Sequence, residues 1–208
     1  MVQKEPKRRG RPRAYDPDTA LARAIESFWK AGYSGTSLDD LSEATGMNRP
    51  SLYGAFGDKR DLYLKALAHY WERSLVAMKE MLAYDRPLRE ALQRVYALAL
   101  ASYLTGKNGP RGCFAIGTAT TEALQDAKIR ALLAQGFREI DEAFEARIRF
   151  GREHGNLPRG ADPVALAMLA SATLHTLAIR SRAGATRAAL EAIVDTALDV
   201  ICGPAKAS

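Results

Sequence analysis

Apolar residues recur along most of the chain at the three- and four-residue spacing of amphipathic helices. The first such segment begins at Asp16-Pro17, where an aspartate caps and a proline opens a helix, and it ends at Gly32. Its apolar face consists of Leu21, Ala24, Ile25, Phe28 and Trp29. Similar segments, separated by breaks rich in glycine and proline, follow to the end of the chain. The pattern predicts an all-α protein of about nine helices.

The stretch from Thr36 to Lys59 predicts two short helices joined by a tight turn. Ser37 is a good N-cap for the first, and an acidic residue three positions later completes a capping box. Gly46 ends that helix, because glycine adopts the left-handed conformation that a helix end requires. Asn48 caps the second helix, and a proline follows in its first turn, where no N–H is needed.

The second short helix has an unusual outer face. Leu52 and Phe56 are four residues apart and point inward together. The outward positions are then small, polar or aromatic rather than charged: Pro50, Ser51, Tyr53 and Gly54. Two short helices with such a face indicate a helix-turn-helix, whose second helix enters the DNA major groove.

The residues around this unit resemble the DNA-binding region of the tetracycline-repressor (TetR/AcrR) family of bacterial transcription regulators, over roughly residues 16 to 67. The shared positions are Gly32-Tyr33, Thr36-Ser37, Leu41, Gly46, Leu52-Tyr53, Phe56, Lys59 and Leu62. The resemblance implies a three-helix DNA-binding domain (16–60) and a helical ligand-binding and dimerisation domain (61–208), which follow a basic arm (1–15) whose charge predicts disorder. It also implies that the fourth helix connects the two domains and transmits a signal between them.

The family pattern, carried over by position, predicts the residues that contact DNA: Thr36, Ser37, Arg49, Pro50, Ser51, Tyr53 and Lys59. Arg49 is the candidate base reader, because a guanidinium can bond guanine O6 and N7 together. Ser37, Tyr53 and Lys59 would hold phosphates, although Ser37 also has the simpler role of a helix cap and Tyr53 that of a packing residue. Gly54 departs from the family pattern and cannot read a base with a side chain.

The amino-terminal arm is strongly basic. Six Lys or Arg residues against Glu5 give residues 1–13 a net charge of +5, out of +6 for the whole chain. Arg9 and Arg11 lie in an Arg-Gly-Arg-Pro segment that resembles an AT-hook, which binds the A·T minor groove. We favour DNA binding over a merely solubilising tail, because the arm leads directly into the predicted DNA-binding unit. Deleting residues 1–13 should then lower DNA affinity and its salt dependence.

The last two predicted helices, about 163–182 and 187–202, carry more apolar surface than one side can bury. They are either interior to the monomer or the interface of a homodimer, as in the resembled family. A small helix-turn-helix usually reads two half-sites as a two-fold dimer, so we favour the dimer.

The resemblance further implies a pocket for a small-molecule effector among the later helices. The candidate lining residues are Trp71, Tyr96, Cys113, Phe114, Phe137 and His175, each of which has ordinary core packing as its alternative. Cys113 follows a glycine- and proline-rich loop, beside Arg111 and near a predicted helix start. Both features would lower the pKa of its thiol, which suggests a redox or electrophile sensor; a small buried hydrophobe is the alternative.

Composition and motif content narrow the possible cellular location and functional class of the protein. Two cysteines are too few for a disulfide framework, the basic start has no apolar stretch behind it, and the longest uncharged run, Val164 to Ile179, is shorter than a membrane span. These features predict a cytoplasmic protein without membrane contact. The sequence has no metal-ligand spacing, phosphate-binding loop or nucleophile elbow, so we expect neither an enzyme nor a metal or cofactor. A ligand-responsive regulator, usually a repressor, is favoured over an effector-independent DNA-binding architectural protein.

Overall fold

The structure is a computed structural model, and it describes residues 16–106 and 109–204. These residues form α-helices and no strand, as the sequence predicts. The helices are α1 (Pro17–Gly35), α2 (Leu38–Thr45), α3 (Arg49–Phe56), α4 (Lys59–Met81), α5 (Leu88–Tyr103), α6 (Phe114–Glu122), α7 (Ala127–Glu153), α8 (Pro163–Arg182) and α9 (Arg187–Cys202).

Side-chain caps determine where the amino-terminal helices begin. The carboxylates of Asp16 and Asp58 and the amide oxygen of Asn48 each accept a hydrogen bond from the backbone N–H three residues later. Ser37 and its partner three residues on form the complete capping box that the sequence predicts. The predicted stop at Gly32 is a kink rather than an end, because this glycine has φ 75° and the chain resumes a helical turn after it.

A single apolar core runs from α1 to α9 and joins the three short amino-terminal helices to the rest of the bundle. Tyr63 of α4 is fully buried at this junction, against Phe28 of α1 and Phe114 of α6. Its hydroxyl forms a 2.7 Å hydrogen bond with the hydroxyl of Thr118 in α6. Helices α1 and α4 therefore pack on α6 through apolar and polar contacts together.

Ion pairs and hydrogen bonds at the edge of this junction join the same elements. Arg60, at the start of α4, pairs with Asp126, the N-cap of α7, and Nη2 lies 2.9 Å from Oδ1. Ser34 of α1 donates a 3.0 Å hydrogen bond to Glu122 of α6. A shift of α6 or of the start of α7 would therefore displace α1 and α4.

Helix α8 is 20 residues long, with a mean hydropathy of 1.3 over its most apolar window, of which 44% is buried. By length and composition it is the one helix among the described residues that could cross a membrane, so the short uncharged run is not a sound argument against a span. We interpret α8 as a packed helix of the bundle rather than as a membrane span, because it lies against α5, α7 and α9.

Candidate nucleic-acid interface

Helices α2 and α3 form the predicted helix-turn-helix. The turn between them contains Gly46, which has φ 69° and lies in the left-handed conformation expected of a helix end. Leu41 of α2 and Leu52 and Phe56 of α3 are buried in the core, which fixes how each short helix is rotated about its own axis. The opposite side of α3 therefore faces solvent.

The exposed side of α3 carries the residues that the sequence placed there. Arg49, Pro50 and Gly54 are exposed, Tyr53 is 46% exposed to solvent, and Ser51 is partly buried. Lys65 of α4 donates a 2.9 Å hydrogen bond to the carbonyl of Phe56 at the carboxyl end of α3, a contact that the sequence analysis missed. Apart from Arg49, this surface is uncharged and open to a partner.

Arg49 has a partner that the sequence analysis did not identify. Its Nε and Nη2 lie 3.0 and 2.7 Å from Oδ1 of Asp39, and Nη2 also lies 2.7 Å from Oδ2. Hydrogen bonding to this carboxylate raises the pKa of the Arg49 guanidinium above its usual value. Asp39 is ten residues earlier, on the other helix of the motif, so no helical spacing relates the two residues.

Thr36 does not present its side chain to a partner, contrary to expectation. The residue is buried, and its hydroxyl donates a 2.7 Å hydrogen bond to the carbonyl of Gly32. This bond closes the kink at Gly32 near the end of α1, just before the chain enters α2. The shared Thr-Ser motif therefore combines a structural residue with an exposed one.

Ser37 is exposed, but its hydroxyl is already used. It donates to Oδ2 of Asp40 at 2.7 Å and accepts from the backbone N–H of Asp40 at 3.1 Å. The hydrogen bonds that the Ser37 hydroxyl and the Ser37 backbone N–H donate to this carboxylate lower the pKa of Asp40. The role of helix cap is therefore present, and a phosphate would compete with Asp40 for the hydroxyl proton.

Lys59 begins α4 with its Nζ 4.5 Å from the centre of the Tyr33 ring. No ion pair of Lys59 with a carboxylate occurs among residues 16–106 and 109–204. A lysine at a helix amino terminus lacks favourable interaction with the helix dipole, and an external anion would supply it. The predicted contacts of Arg9 and Arg11, with the rest of the arm, lie outside the described residues.

The residues predicted to line an effector pocket lie in separate parts of the core. Trp71 of α4 meets Phe137 of α7 edge to face, and the Phe137 ring lies against His175 of α8 at a tilt of 53°, with ring centres 4.8 Å apart. Tyr96 lies elsewhere in the core and donates a 3.1 Å hydrogen bond to the carbonyl of Ala170. Within the parts of the chain described, Trp71 Nε1 and His175 Nε2 are buried without a hydrogen-bond partner.

A groove of about 260 Å³ opens between α4 and α7 and reaches Trp71. Leu75 and Val76 form its α4 side, and Leu132 and Gly136 form its α7 side. Of the six predicted effector residues, Trp71 alone lines this groove. Burial lowers the pKa of the His175 imidazole below its usual value.

Cys113 and Phe114 form a different cluster, and the predicted low pKa of the Cys113 thiol is wrong. Cys113 is the N-cap of α6, as expected, but it is buried and its Sγ lies 3.2 Å from the hydroxyl of Tyr70. Burial raises the pKa of the thiol, and the backbone N–H groups of α6 offset only part of that effect. The charge of Arg111 is directed elsewhere, because its guanidinium pairs with Glu26 and lies 3.8 Å from the centre of the Trp29 ring.

No group of three or more His, Cys, Asp or Glu side chains able to hold a metal ion occurs in the part of the chain that the structure describes. A helix-turn-helix with an exposed second helix, packed on a larger helical bundle, is the architecture of a DNA-binding regulator with an appended domain.

The comparisons with known proteins agree with this class. The family model of bacterial regulatory proteins of the tetR family matches residues 20–66, and a tetracyclin repressor-like C-terminal domain matches residues 89–197. The HTH-type transcriptional repressor ComR of Escherichia coli (strain K12) is 32% identical over 92% of this chain and 91% of its own length. The HTH-type transcriptional regulator YezE of Bacillus subtilis (strain 168) is 29% identical over 92% of this chain and 99% of its own.

Solved structures support the same assignment. A cysteine mutant of the TetR family transcriptional regulator CifR, complexed with 26-base-pair double-strand operator DNA, is 34% identical, with a TM-score of 0.81. The match covers 90% of this chain and 98% of that one. The chain belongs to the tetR family of bacterial regulatory proteins, and it is a DNA-binding transcriptional regulator.

Proposed function

We propose that the protein is a repressor that binds a palindromic operator as a homodimer and is released by a small molecule. The observation that carries the proposal is the exposed side of α3, where Arg49, Pro50 and Tyr53 stand outward on a helix whose other side is buried. Related proteins that are named repressors or carry operator DNA support it. Binding to DNA would place the protein in the cytoplasm.

The apolar surface left on α8 supports a dimer through α8 and α9. Val164, Met168 and Ile179 remain 47%, 61% and 57% exposed, and Val200 of α9 remains 62% exposed. The alanines exposed on α8 include Ala172, which lies between Met168 and Ile179. Their small side chains would let a second helix approach closely. Contiguous apolar patches on a monomer commonly mark an interaction site. The two-fold axis would then pair these helices and set the spacing of the two α3 helices.

The proposed division of labour is a DNA-binding domain over residues 16–60 and a ligand-binding and dimerisation domain over 61–208. The shared core between α1, α4 and α6 supports communication between them. We place the effector between α4, α7 and α8, because Trp71 Nε1 and His175 Nε2 are buried hydrogen-bonding atoms without partners among residues 16–106 and 109–204. Buried polar groups are normally hydrogen-bonded, and a ligand would satisfy these two.

The experiment uses the full chain with DNA enriched from a random-sequence pool. We expect the wild-type protein to enrich a palindrome and to be a dimer by light scattering. Ile179→Asp should give a monomer that loses most of its affinity for the palindrome. Leu124→Asp is the matched control, because Leu124 is 77% exposed but lies between α6 and α7, away from α8 and α9.

A wild-type chain that is strictly monomeric, or that binds no duplex DNA in dilute buffer, contradicts the proposal. A dimer that binds DNA without enriching a palindrome would instead favour the architectural alternative.

A further inference from the structure

Asp39 and Arg49 form the one side-chain ion pair between α2 and α3 in the described chain. The carboxylate contacts the edge of the guanidinium made by Nε and Nη2, at distances between 2.7 and 3.0 Å. Both side chains are more than half exposed. Ion pairs exposed to this degree contribute little to folding stability, so the pair is not explained as a device that holds the motif together.

The side of Arg49 that Asp39 leaves unused suits a guanine. A guanidinium has five N–H groups, and its Nη1 end remains available together with one hydrogen of Nη2. Two parallel N–H groups at that end match the O6 and N7 acceptors that guanine presents in the major groove. Arg49 is the first residue of α3, and the first residues of a recognition helix are those that reach base edges.

We propose that Asp39 is a positioning residue for sequence recognition, which holds Arg49 so that the Nη1 end of the guanidinium reads a guanine in the operator. This inference rests on the proposed function, and it adds to it the residue that determines one base preference. Arginine has many rotamers, and a restraint applied before binding reduces the conformational entropy that is lost on the DNA.

The carboxylate of Asp39 also has an effect that is independent of sequence. A negative charge beside the DNA-facing surface repels phosphates and weakens binding to DNA of any sequence. Specificity is the difference between binding to the correct and the incorrect sequence, so a uniform repulsion cancels from it. Asp39 should therefore raise the preference for the operator through Arg49 alone, while it lowers the affinity for DNA in general.

The test compares full-length variants in the same random-sequence selection, followed by binding titrations on single-base variants of the enriched site. Arg49→Lys keeps the charge but loses the fork, so the base pair whose preference it abolishes is the one that Arg49 reads. We expect Asp39→Ala to reduce the guanine preference at that base pair by about two- to fivefold, in keeping with the modest strength of an exposed ion pair. Asp39→Ala combined with Arg49→Lys should lose no further preference there.

Glu43 provides the matched control. It is four residues after Asp39 on α2, it is exposed, and no ion pair involves it in the part of the chain described. Glu43→Ala should strengthen binding to all DNA by a similar factor to Asp39→Ala while leaving the base preference intact. Circular dichroism checks that α2 is retained, and Asp39→Asn provides a variant of unchanged shape.

Several outcomes overturn the inference. The inference fails if Asp39→Ala and Asp39→Asn leave the guanine preference unchanged at the base pair read by Arg49. It also fails if these variants strengthen that preference, since Asp39 would then compete with the base for Arg49. A change at a different base pair would show that Asp39 reads a base itself, for example the amino group of cytosine. A wild-type chain that enriches no sequence overturns the proposed function as well, whereas the other outcomes overturn only this inference.

Discussion

The indole ring of Trp71 lies directly on the backbone of Gly136, where α4 crosses α7. A Cβ added at Gly136 would stand 2.3 Å from Cε2 of Trp71, far inside van der Waals contact. Gly136 is in the interior of α7, where glycine is otherwise unfavourable. The close approach of Trp71 is the physical reason for a glycine at this position, and it forms the floor of the groove between the two helices.

Gly136→Ala should therefore destabilise the protein by about 1–3 kcal/mol, because the methyl group overpacks the contact and the large Trp71 ring is confined on its other sides. Gly54→Ala is the control: no atom lies within 4 Å of a Cβ at that exposed helical position. It should stabilise the protein by roughly 0.5–1 kcal/mol. Urea unfolding of both variants measures the difference, and equal midpoints would contradict the packing argument.

Thr36→Val should lower stability without changing the intrinsic affinity for DNA. The substitution removes the hydroxyl that donates to Gly32, at a cost of about 1 kcal/mol, but Thr36 is buried away from any partner. Lys59→Gln should instead weaken DNA binding, and the lost contact with Tyr33 should also lower stability by about 0.5–1 kcal/mol. Unfolding curves and DNA titrations on both variants separate the two roles. Weaker DNA binding by fully folded Thr36→Val protein would restore the residue to the interface.

Cys113 should react slowly with thiol reagents in the native protein. Burial raises the pKa of its thiol, so less thiolate is present at neutral pH than for a free cysteine. Burial also raises the pKa of Cys202 to about 11, so both cysteines should be slow. Labelling of Cys113→Ser and Cys202→Ser variants with a disulfide reagent, with and without urea, assigns each rate. Native Cys113 that reacts faster than free cysteine would restore the sensor hypothesis in its direct form.

The pair between Arg60 and Asp126 should contribute to stability at neutral pH and lose that contribution in acid. The hydrogen bond from Arg60 holds the pKa of the Asp126 carboxyl well below its usual range. A carboxyl group with a lowered folded pKa stabilises the protein above its unfolded pKa, and the effect disappears as pH falls through the folded pKa. The destabilisation by Asp126→Asn should thus be constant from pH 7 to pH 5 and shrink below about pH 4.

Urea unfolding across this pH range is the measurement. Glu80→Gln is the control, since Glu80 is exposed and has no ion pair among the described residues. Asp126 also caps α7, and an asparagine retains part of that role. Only the pH-dependent part of the difference in unfolding free energy between wild type and Asp126→Asn is therefore attributed to Arg60. A difference independent of pH would assign the whole effect to the cap.

Much of the fold was predictable because its determinants are local. The caps at Asp16, Ser37, Asn48 and Asp58 act on backbone groups three residues away, and the left-handed turn at Gly46 depends on one residue. Apolar residues three and four apart share a face of a helix wherever that helix lies. The sequence by itself therefore determined the helices, the inward side of α3 and the outward position of Arg49.

Tertiary packing decided the surroundings of the functional candidates. Asp39 meets Arg49 across the turn, Thr36 is enclosed at the kink, and Cys113 lies beside Tyr70, 43 residues earlier in the chain. Distances between such residues depend on how separate helices cross, which no period within one helix encodes. Burial then set the direction of the thiol pKa against the local features around Cys113, because desolvation of a thiolate outweighs the nearby backbone N–H groups.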